Sequence, residues 1–526
     1  MKWNAWGDPA AARPLSDGIR ALLKQALGVD GTPGRELEAE EVRLRPSALR
    51  DADRDALAAV VGADYCIVED RARLLRAGGK STLDLLRRRD SGEQDAPDAV
   101  LLPGTEDEIA AILRHCTERR IAVVPFGGGT SVVGGLDPIR GDFAAVVSLD
   151  LRRLNELHSL DEVSWEAELG AGVTGPDAER LLGERGFSLG HFPQSFQFVT
   201  IGGLAATRSS GQNSAGYGRF NDMVRGLRTV TPAGVLELGR APESAAGPDL
   251  RQLMLGSEGV FGVITRVRVR VHPVPAATRY EAWSFPDFAT GADALRAVVQ
   301  TATGPTVIRL SDEAETGVNL ATTDNIGEQQ ITGGCLAITV FEGSEAHVAS
   351  RHAETRAVLQ AHGGTSLGEE PARAWEHGRF SAPYLRDSLL SAGALCETLE
   401  TATRWSNLHA LKAAVTEALT SSLQESGTPA LVLCHISHVY PTGASLYFTV
   451  VAGQRGNPIE QWRKAKAAAS DAMMRTGATI THHHAVGADH RPWMCDEIGE
   501  LGVEVLRAVK ATLDPAGILN PGKLIP

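Results

Sequence analysis

The sequence predicts an α+β chain of several structural units, and three observations predict it. From residue 98 a strand, a helix and a second strand deliver the chain into a loop dense in glycine, "GGGTSVVGG". A longer glycine-rich stretch, "TIGGLAATRSSGQNSAGYGRFNDMV", follows at 200–224, between segments that read as strands. From about 278 to 440 strand and helix patterns alternate again, as in a mixed sheet with helices. A chain of 526 residues exceeds one ordinary core, so two or three units are expected.

Residues 1–97 are rich in Ala, Arg, Leu and Asp, and "PLSDGIRALLKQAL" spaces its apolar residues as a helix does, which predicts a helical N-terminal segment. "AVLLP" reads as a short strand. "GTEDEIAAILRHCTERR" has an acidic first turn and a basic last turn, as a helix dipole favours, and "IAVVPF" returns as a strand. "AAVVSLDL" and "VSWEAELGAGV" read as strands around the helix "GPDAERLLGERG", which glycine closes. "GLRTVTPAGVLELG" reads as a hairpin, and "VITRVRVRVHPVP" as an alternating strand that runs into a Pro-rich boundary. Beyond it, "TRYEAWSFPDFATGADALRAVVQ" predicts strand, loop and helix. "HGRFSAPYLRDSLLSAGALCETLETATRW" reads as mostly helical, and "ASLYFTVVAG" as a strand. A helix, "PIEQWRKAKAAASDAMMRTG", leads to three consecutive histidines in "THHHAVG", and the chain ends in a helix and an extended tail.

A formal charge of -13 without a long basic run argues against nucleic-acid binding. The six cysteines are scattered, with no Cys-x-x-Cys pair, which argues against a zinc module or a disulfide framework and for a reducing interior. The start lacks an apolar signal core and no run of about 18 apolar residues occurs. A cytoplasmic protein is expected, with at most a peripheral hold on the inner membrane face.

In "PFGGGTS", the residues Gly127, Gly128, Gly129, Thr130 and Ser131 leave backbone N–H groups open to an anion, with hydroxyls beside them. The loop has neither the Gly-Lys-Ser/Thr ending of a nucleoside-triphosphate loop nor the Gly-x-Gly-x-x-Gly dinucleotide fingerprint. With "TIGGLAATRSSGQNSAGYGRFNDMV", "GSEGVFGVIT" and the terminal "DPAGILNPGK" in this order, the chain resembles the flavoenzymes of vanillyl-alcohol-oxidase type. The resemblance implies a two-subdomain FAD-binding domain over 98–275 and an α+β cap over 276–478. A C-terminal segment, 479–526, carries the histidines and returns to the FAD domain.

It also implies the FAD contacts. In the first loop these are Pro125, Phe126, Gly127, Gly128, Gly129, Thr130 and Ser131. In the second they are Gly202, Gly203, Thr207, Ser210, Gly211, Asn213, Ser214 and Gly216, with Glu258 and Ile264 after them. Some members tether FAD through a histidine of the first loop; this loop has none, so non-covalent FAD is expected. His191 is a further candidate for the flavin pocket.

Three more stretches carry the likeness further: the opening "MKWNAWG", "PYLRDSLL" with "CETLETAT", and "HVYPTGASLYF" before the triple histidine. Together they resemble the alkylglycerone-phosphate synthase family across nearly the whole chain. The resemblance implies exchange of the acyl chain of acyl-dihydroxyacetone phosphate for a long-chain fatty alcohol, through an adduct at flavin N5 without net oxidation. Tyr447 matches the family's proton-abstracting tyrosine, and His482, His483 and His484 its catalytic histidines. Arg386 matches the arginine near the flavin and is expected to be buried and paired. A free phenol with a pKa of about 10 is a poor base at neutral pH unless cations stabilise its anion.

Taken alone, the same residues admit plainer readings. Three histidines in a row suit a metal tract or an ordinary surface, although consecutive strand residues face opposite ways, and no metal is expected. Tyr447 suits a core tyrosine and Arg386 a helix-surface ion pair. Trp3 and Trp6 suit packing as well as a substrate entrance. An FAD-linked 2-hydroxy-acid dehydrogenase and a flavin-binding protein without catalysis are the alternative functions. A homodimer is expected.

Overall fold

The computed structural model describes residues 1–29, 37–90, 92–322 and 334–526. The chain divides into two compact units. One comprises Met1–Glu36, Gly211–Gly218 and Val274–His482; the other comprises Leu37–Ser210, Arg219–Pro273 and His483–Pro526.

Among the described residues, the unit of the glycine loops contains two larger sheets of different kind, besides two short two-stranded pairs. In the first, Ala99–Leu101, Ala145–Asp150 and Ile121–Phe126 run parallel, and Cys66–Ile67 lies antiparallel at the edge. The helix Glu106–Arg119 is the crossover between Ala99–Leu101 and Ile121–Phe126. Thr105 caps it by accepting from Glu108 N–H, Glu106, Asp107 and Glu108 sit in its first turn, and Arg119 in its last. Its Ile109, Ile112, Leu113 and Cys116 recur at helical spacing and are fully buried in a core with Val123, Val147 and Leu149. Each such apolar side chain contributes about 1.5–3 kcal/mol by leaving water. The second sheet is antiparallel, in the order Gly234–Leu238, Val224–Thr231, Val263–Arg270, Glu166–Gly170, Leu157–Asp161. The expected hairpin is its first pair. The strand Val263–Arg270 alternates as its sequence predicts, with Val267 and Val269 buried and Arg270 exposed.

The other unit is built on a seven-stranded antiparallel sheet. Its order is Thr365–Gly368, Ala277–Phe285, Cys335–Gly343, Val307–Ser311, Ala430–Tyr440, Gly443–Gly453, Ala394–Arg404 among the described residues. Here the sequence reading needs two corrections. "PYLRDSLL" is helical, over Ala382–Ser391, but "CETLETAT" belongs to the eleven-residue strand Ala394–Arg404. Gly393 at φ +82 ends the helix, and the threonines that follow favour a pleated, half-buried edge. The histidines lie on no strand: 480–486 is a bend after the helix Pro458–Arg475. The N-terminal helix Asp17–Leu27 buries Leu23 and Leu27 against Leu389, Ala394, Cys396 and Val451 of this same unit.

Candidate functional site

Three adjacent strands set up the site in the seven-stranded unit. Tyr447 pairs across the sheet with Glu400 on one side and His435 on the other, so the three side chains share one face. The His435 imidazole stacks on the Tyr447 ring at 4.9 Å and 16°. Its Nδ1 lies 2.8 Å from Glu315, which also meets Arg309 at 3.3 Å. The Tyr447 phenol is pushed well above its ordinary pKa by burial, with Glu397 and Glu400 adding to the rise. A hydrogen bond with Thr398 and the charge of Arg386 oppose it. Arg386 is buried, as expected, and its guanidinium lies 3.8 Å from the carboxylate of Asp387.

Glu400 also organises His482. Its carboxylate accepts from the Thr481 hydroxyl at 2.5 Å and from the His482 N–H at 2.6 Å, while the side chain is buried. The His482 Nε2 lies 2.5 Å from the Tyr440 hydroxyl, and its ring lies 5.0 Å from that of His438. His438 in turn reaches the Gly211 carbonyl through Nε2 at 3.0 Å. Sequence reasoning did not single out Glu400, His438 or Tyr440. The signal was present in "SHVYPTG", where a histidine and a tyrosine two residues apart precede a turn just before the strand of Tyr447.

The triple histidine is divided between the two compact units after His482. In the glycine-loop unit the rings of His483 and His484 meet edge to face at 4.9 Å. The loop that follows them is clamped. Glu258, buried and at φ +51, accepts from Val486 N–H at 2.9 Å and Gly487 N–H at 2.8 Å. Burial raises the Glu258 carboxyl to about 7; the two N–H groups and Lys523 hold it from rising further. Asn520 of the C-terminal tail donates to the Glu258 carbonyl at 2.7 Å and to the Gly135 carbonyl at 3.1 Å, which ties the tail into this unit.

The first glycine loop leaves the strand Ile121–Phe126 at Pro125 and Phe126, and lies against the start of the second. A Cβ on Gly128 would stand 1.9 Å from the Phe198 carbonyl oxygen, and one on Gly127 2.3 Å from the Thr200 hydroxyl, so this packing requires glycine. Ser131 closes the loop: its hydroxyl accepts from Gly135 N–H at 3.1 Å and its carbonyl from Lys80 N–H at 2.6 Å. The second loop begins as the helix Ile201–Ala206, capped by Thr200, with Gly202 against Ala171 and the Thr207 hydroxyl donating to the Gly203 carbonyl. Ile264 is buried in the strand Val263–Arg270. Near Ser209, the buried His191 lies 3.1 Å from the serine hydroxyl.

From Gly211 the same loop enters the seven-stranded unit. There the Ser214 hydroxyl accepts from Gly211 N–H, Asn213 donates to Glu342 at 3.3 Å, and Gly216 packs on Thr306. The hydroxyls of Ser210 and Ser257 are buried in the glycine-loop unit and have no hydrogen-bond partner among the described residues. Buried hydroxyls on two glycine-rich segments fit a cradle completed by a polar ligand.

Comparison with known proteins agrees with that fit. Residues 97–239 match the family described as FAD binding domain, and 274–524 match that described as FAD linked oxidases, C-terminal domain. Across all of its length the chain is 32% identical to an alkyldihydroxyacetonephosphate synthase of Trypanosoma brucei brucei, covering 92% of that protein. It is likewise 32% identical to the one of Dictyostelium discoideum, covering 93% of it. A solved alkyldihydroxyacetonephosphate synthase structure superposes with a TM-score of 0.86 at 30% identity, over 100% of this chain and 99% of the other. FAD is therefore the cofactor of this chain.

Proposed function

Because the chain belongs to the alkyldihydroxyacetonephosphate synthase family, we propose that it exchanges the acyl chain of acyl-dihydroxyacetone phosphate for a long-chain fatty alcohol, forming an ether lipid precursor. The observation that carries this is the full-length likeness to proteins of that name, in which neither half of the chain is left over. FAD, when bound, supplies a nucleophilic ring nitrogen and an electron sink, so that one group leaves and another enters without net oxidation. Gly127, Gly128, Gly129, Thr130, Ser131, Gly202, Gly203, Thr207 and Ser210 hold it without a covalent tether.

Tyr447 takes the proton from C1 of the substrate as its phenolate. Burial keeps the phenol protonated at rest, so its own proton must first leave for solvent or a neighbouring base, and the charge of Arg386 favours the resulting anion. The Arg386 fork suits the substrate's phosphate or the departing carboxylate. His482, oriented by Glu400 and Tyr440, hands a proton to the leaving oxygen, and His483 and His484 bind oxygen anions. Substrates with long alkyl chains favour a peripheral hold on a membrane; no helix among the described residues is long and apolar enough to cross one.

The test is a product assay under anaerobic conditions with palmitoyl-dihydroxyacetone phosphate and labelled hexadecanol. Label in a base-stable, ether-linked lipid is the expected result. No label from FAD-loaded protein, with bleaching of the flavin by a 2-hydroxy acid, would replace this reading with a dehydrogenase.

A further inference from the structure

The opening "MKWNAWG" has no part in the chemistry above, yet it is among the more deeply buried stretches of its unit: Asn4 is 0% exposed, Trp6 5% and Ala5 6%. It folds back on itself through the Lys2 N–H, which donates to the Gly7 carbonyl at 2.7 Å. It then lies along one face of the helix Ala382–Ser391. Tyr384, Asp387 and Ser388 stand at helical spacing i, i+3 and i+4, and each meets the N-terminal segment. The Trp6 N–H donates to Asp387 Oδ2 at 2.6 Å, the Asp8 N–H to the Tyr384 hydroxyl at 3.3 Å, and the Ser388 hydroxyl to the Arg13 carbonyl. Gly7, at φ +61, lies so close that a Cβ there would stand 2.3 Å from the Tyr384 hydroxyl oxygen. Only glycine meets both conditions.

The face so covered ends at the residue beside Arg386. Asp387 accepts from the backbone N–H of Trp6 with one carboxylate oxygen, and its other oxygen stands 3.8 Å from the Arg386 guanidinium, at ion-pair rather than hydrogen-bond distance. We propose that residues 1–8 are a positioning strap for Arg386, acting through Asp387, so that the N-terminus sets the place of the cation that serves Tyr447. The inference rests on the proposed role of Arg386 and adds the element that holds it. Its physical basis is that a displacement of about 1 Å in a positioning group costs a reaction about a hundred-fold.

The experiment is steady-state alkyl exchange, with FAD content as a parallel readout, on Gly7→Ala, Asp387→Asn, Arg386→Ala, the double variant Gly7→Ala/Arg386→Ala, and Val163→Ala. Val163→Ala alters a side chain that is 95% exposed in the glycine-loop unit and is the control expected to match the wild type. Gly7→Ala is expected to lower kcat about ten- to a hundred-fold with FAD content unchanged. The double variant is expected to be no slower than Arg386→Ala, because the strap acts through that residue. Effects of Gly7→Ala and Arg386→Ala that multiply would overturn the inference, as would wild-type kcat in Gly7→Ala. If Gly7→Ala does not fold, Asp387→Asn decides the matter, and its double variant with Arg386→Ala gives the same non-additivity readout. Full activity in Arg386→Ala itself would instead remove the assigned role of the arginine.

Discussion

Glu258 makes the stability of the glycine-loop unit depend on pH in a direction opposite to that of most carboxylates. Its carboxyl is raised from 4.5 to about 7, burial being the cause, so between those values the folded chain holds a proton that the unfolded chain has released. The stability it confers is fully present below about 4.5 and is lost as pH rises through about 7. A rise of this size corresponds to about 3 kcal/mol between the two protonation states. Glu258→Gln abolishes the titration while keeping one acceptor for the Val486 and Gly487 N–H groups. The assay is chemical unfolding of the FAD-saturated wild type and Glu258→Gln at intervals from pH about 4.5 to about 8. Wild-type stability relative to Glu258→Gln should fall by about 3 kcal/mol across that range, and Asp137 and Lys523, present in both proteins, largely cancel. A difference that stays flat, or that grows with pH, would refute the assignment of a protonated carboxyl to the clamp behind His483 and His484.

Four further outcomes are expected. Tyr447→Phe and His483→Ala should each abolish label incorporation while leaving FAD bound, as read by the flavin absorbance; unchanged activity in both would remove the site assignment. Glu400→Gln should lose the charge that orients His482, costing about 1–3 kcal/mol of stability and most of kcat, measured by unfolding and by turnover. Gly128→Ala should drive a methyl into the Phe198 carbonyl, 1.9 Å from the new Cβ, and the purified protein should be colourless or fail to fold; a yellow, stable variant would contradict the packing. Acid precipitation of the holoprotein should release the flavin into the supernatant; yellow colour retained in the pellet would mean a covalent tether.

Much of the glycine-loop unit was legible because its signals are local. Thr105 and the acidic turn after it announce a helix start, and the Val–Arg alternation of 263–270 announces a strand with one face buried. The strand of 394–404 was misread because "ALCETLETATR" carries apolar residues at spacings that satisfy both periods, and only pairing with Gly443–Gly453 along its whole length decides between them. Glu400 escaped notice for a related reason. A glutamate in such a stretch reads as a solvated face, and its partners, Thr481 and His482, lie about eighty residues on. The first-loop residues were found from their density of glycine, but what makes Gly128 indispensable is a carbonyl 70 residues away, which no local pattern encodes.

The charges around Tyr447 bear on how a phenol serves as a base in such a site. Burial raises its pKa most, Glu397 and Glu400 add to the rise, and a hydrogen bond with Thr398 and the charge of Arg386 oppose it, so the resting phenol keeps its proton. Glu400 cannot be relieved of that effect, because the same carboxylate holds the Thr481 hydroxyl and the His482 N–H. Stability of the histidine bend and ionisation of the tyrosine therefore compete for one side chain. A substrate dianion placed against the phenol without a cation would oppose ionisation further. Arg386 opposes both contributions, as does the charge of Arg309, and the distance of each from the phenol sets how much it offsets. That sensitivity gives a reason for an N-terminal segment, remote in sequence, to be folded so tightly against the helix that carries the arginine.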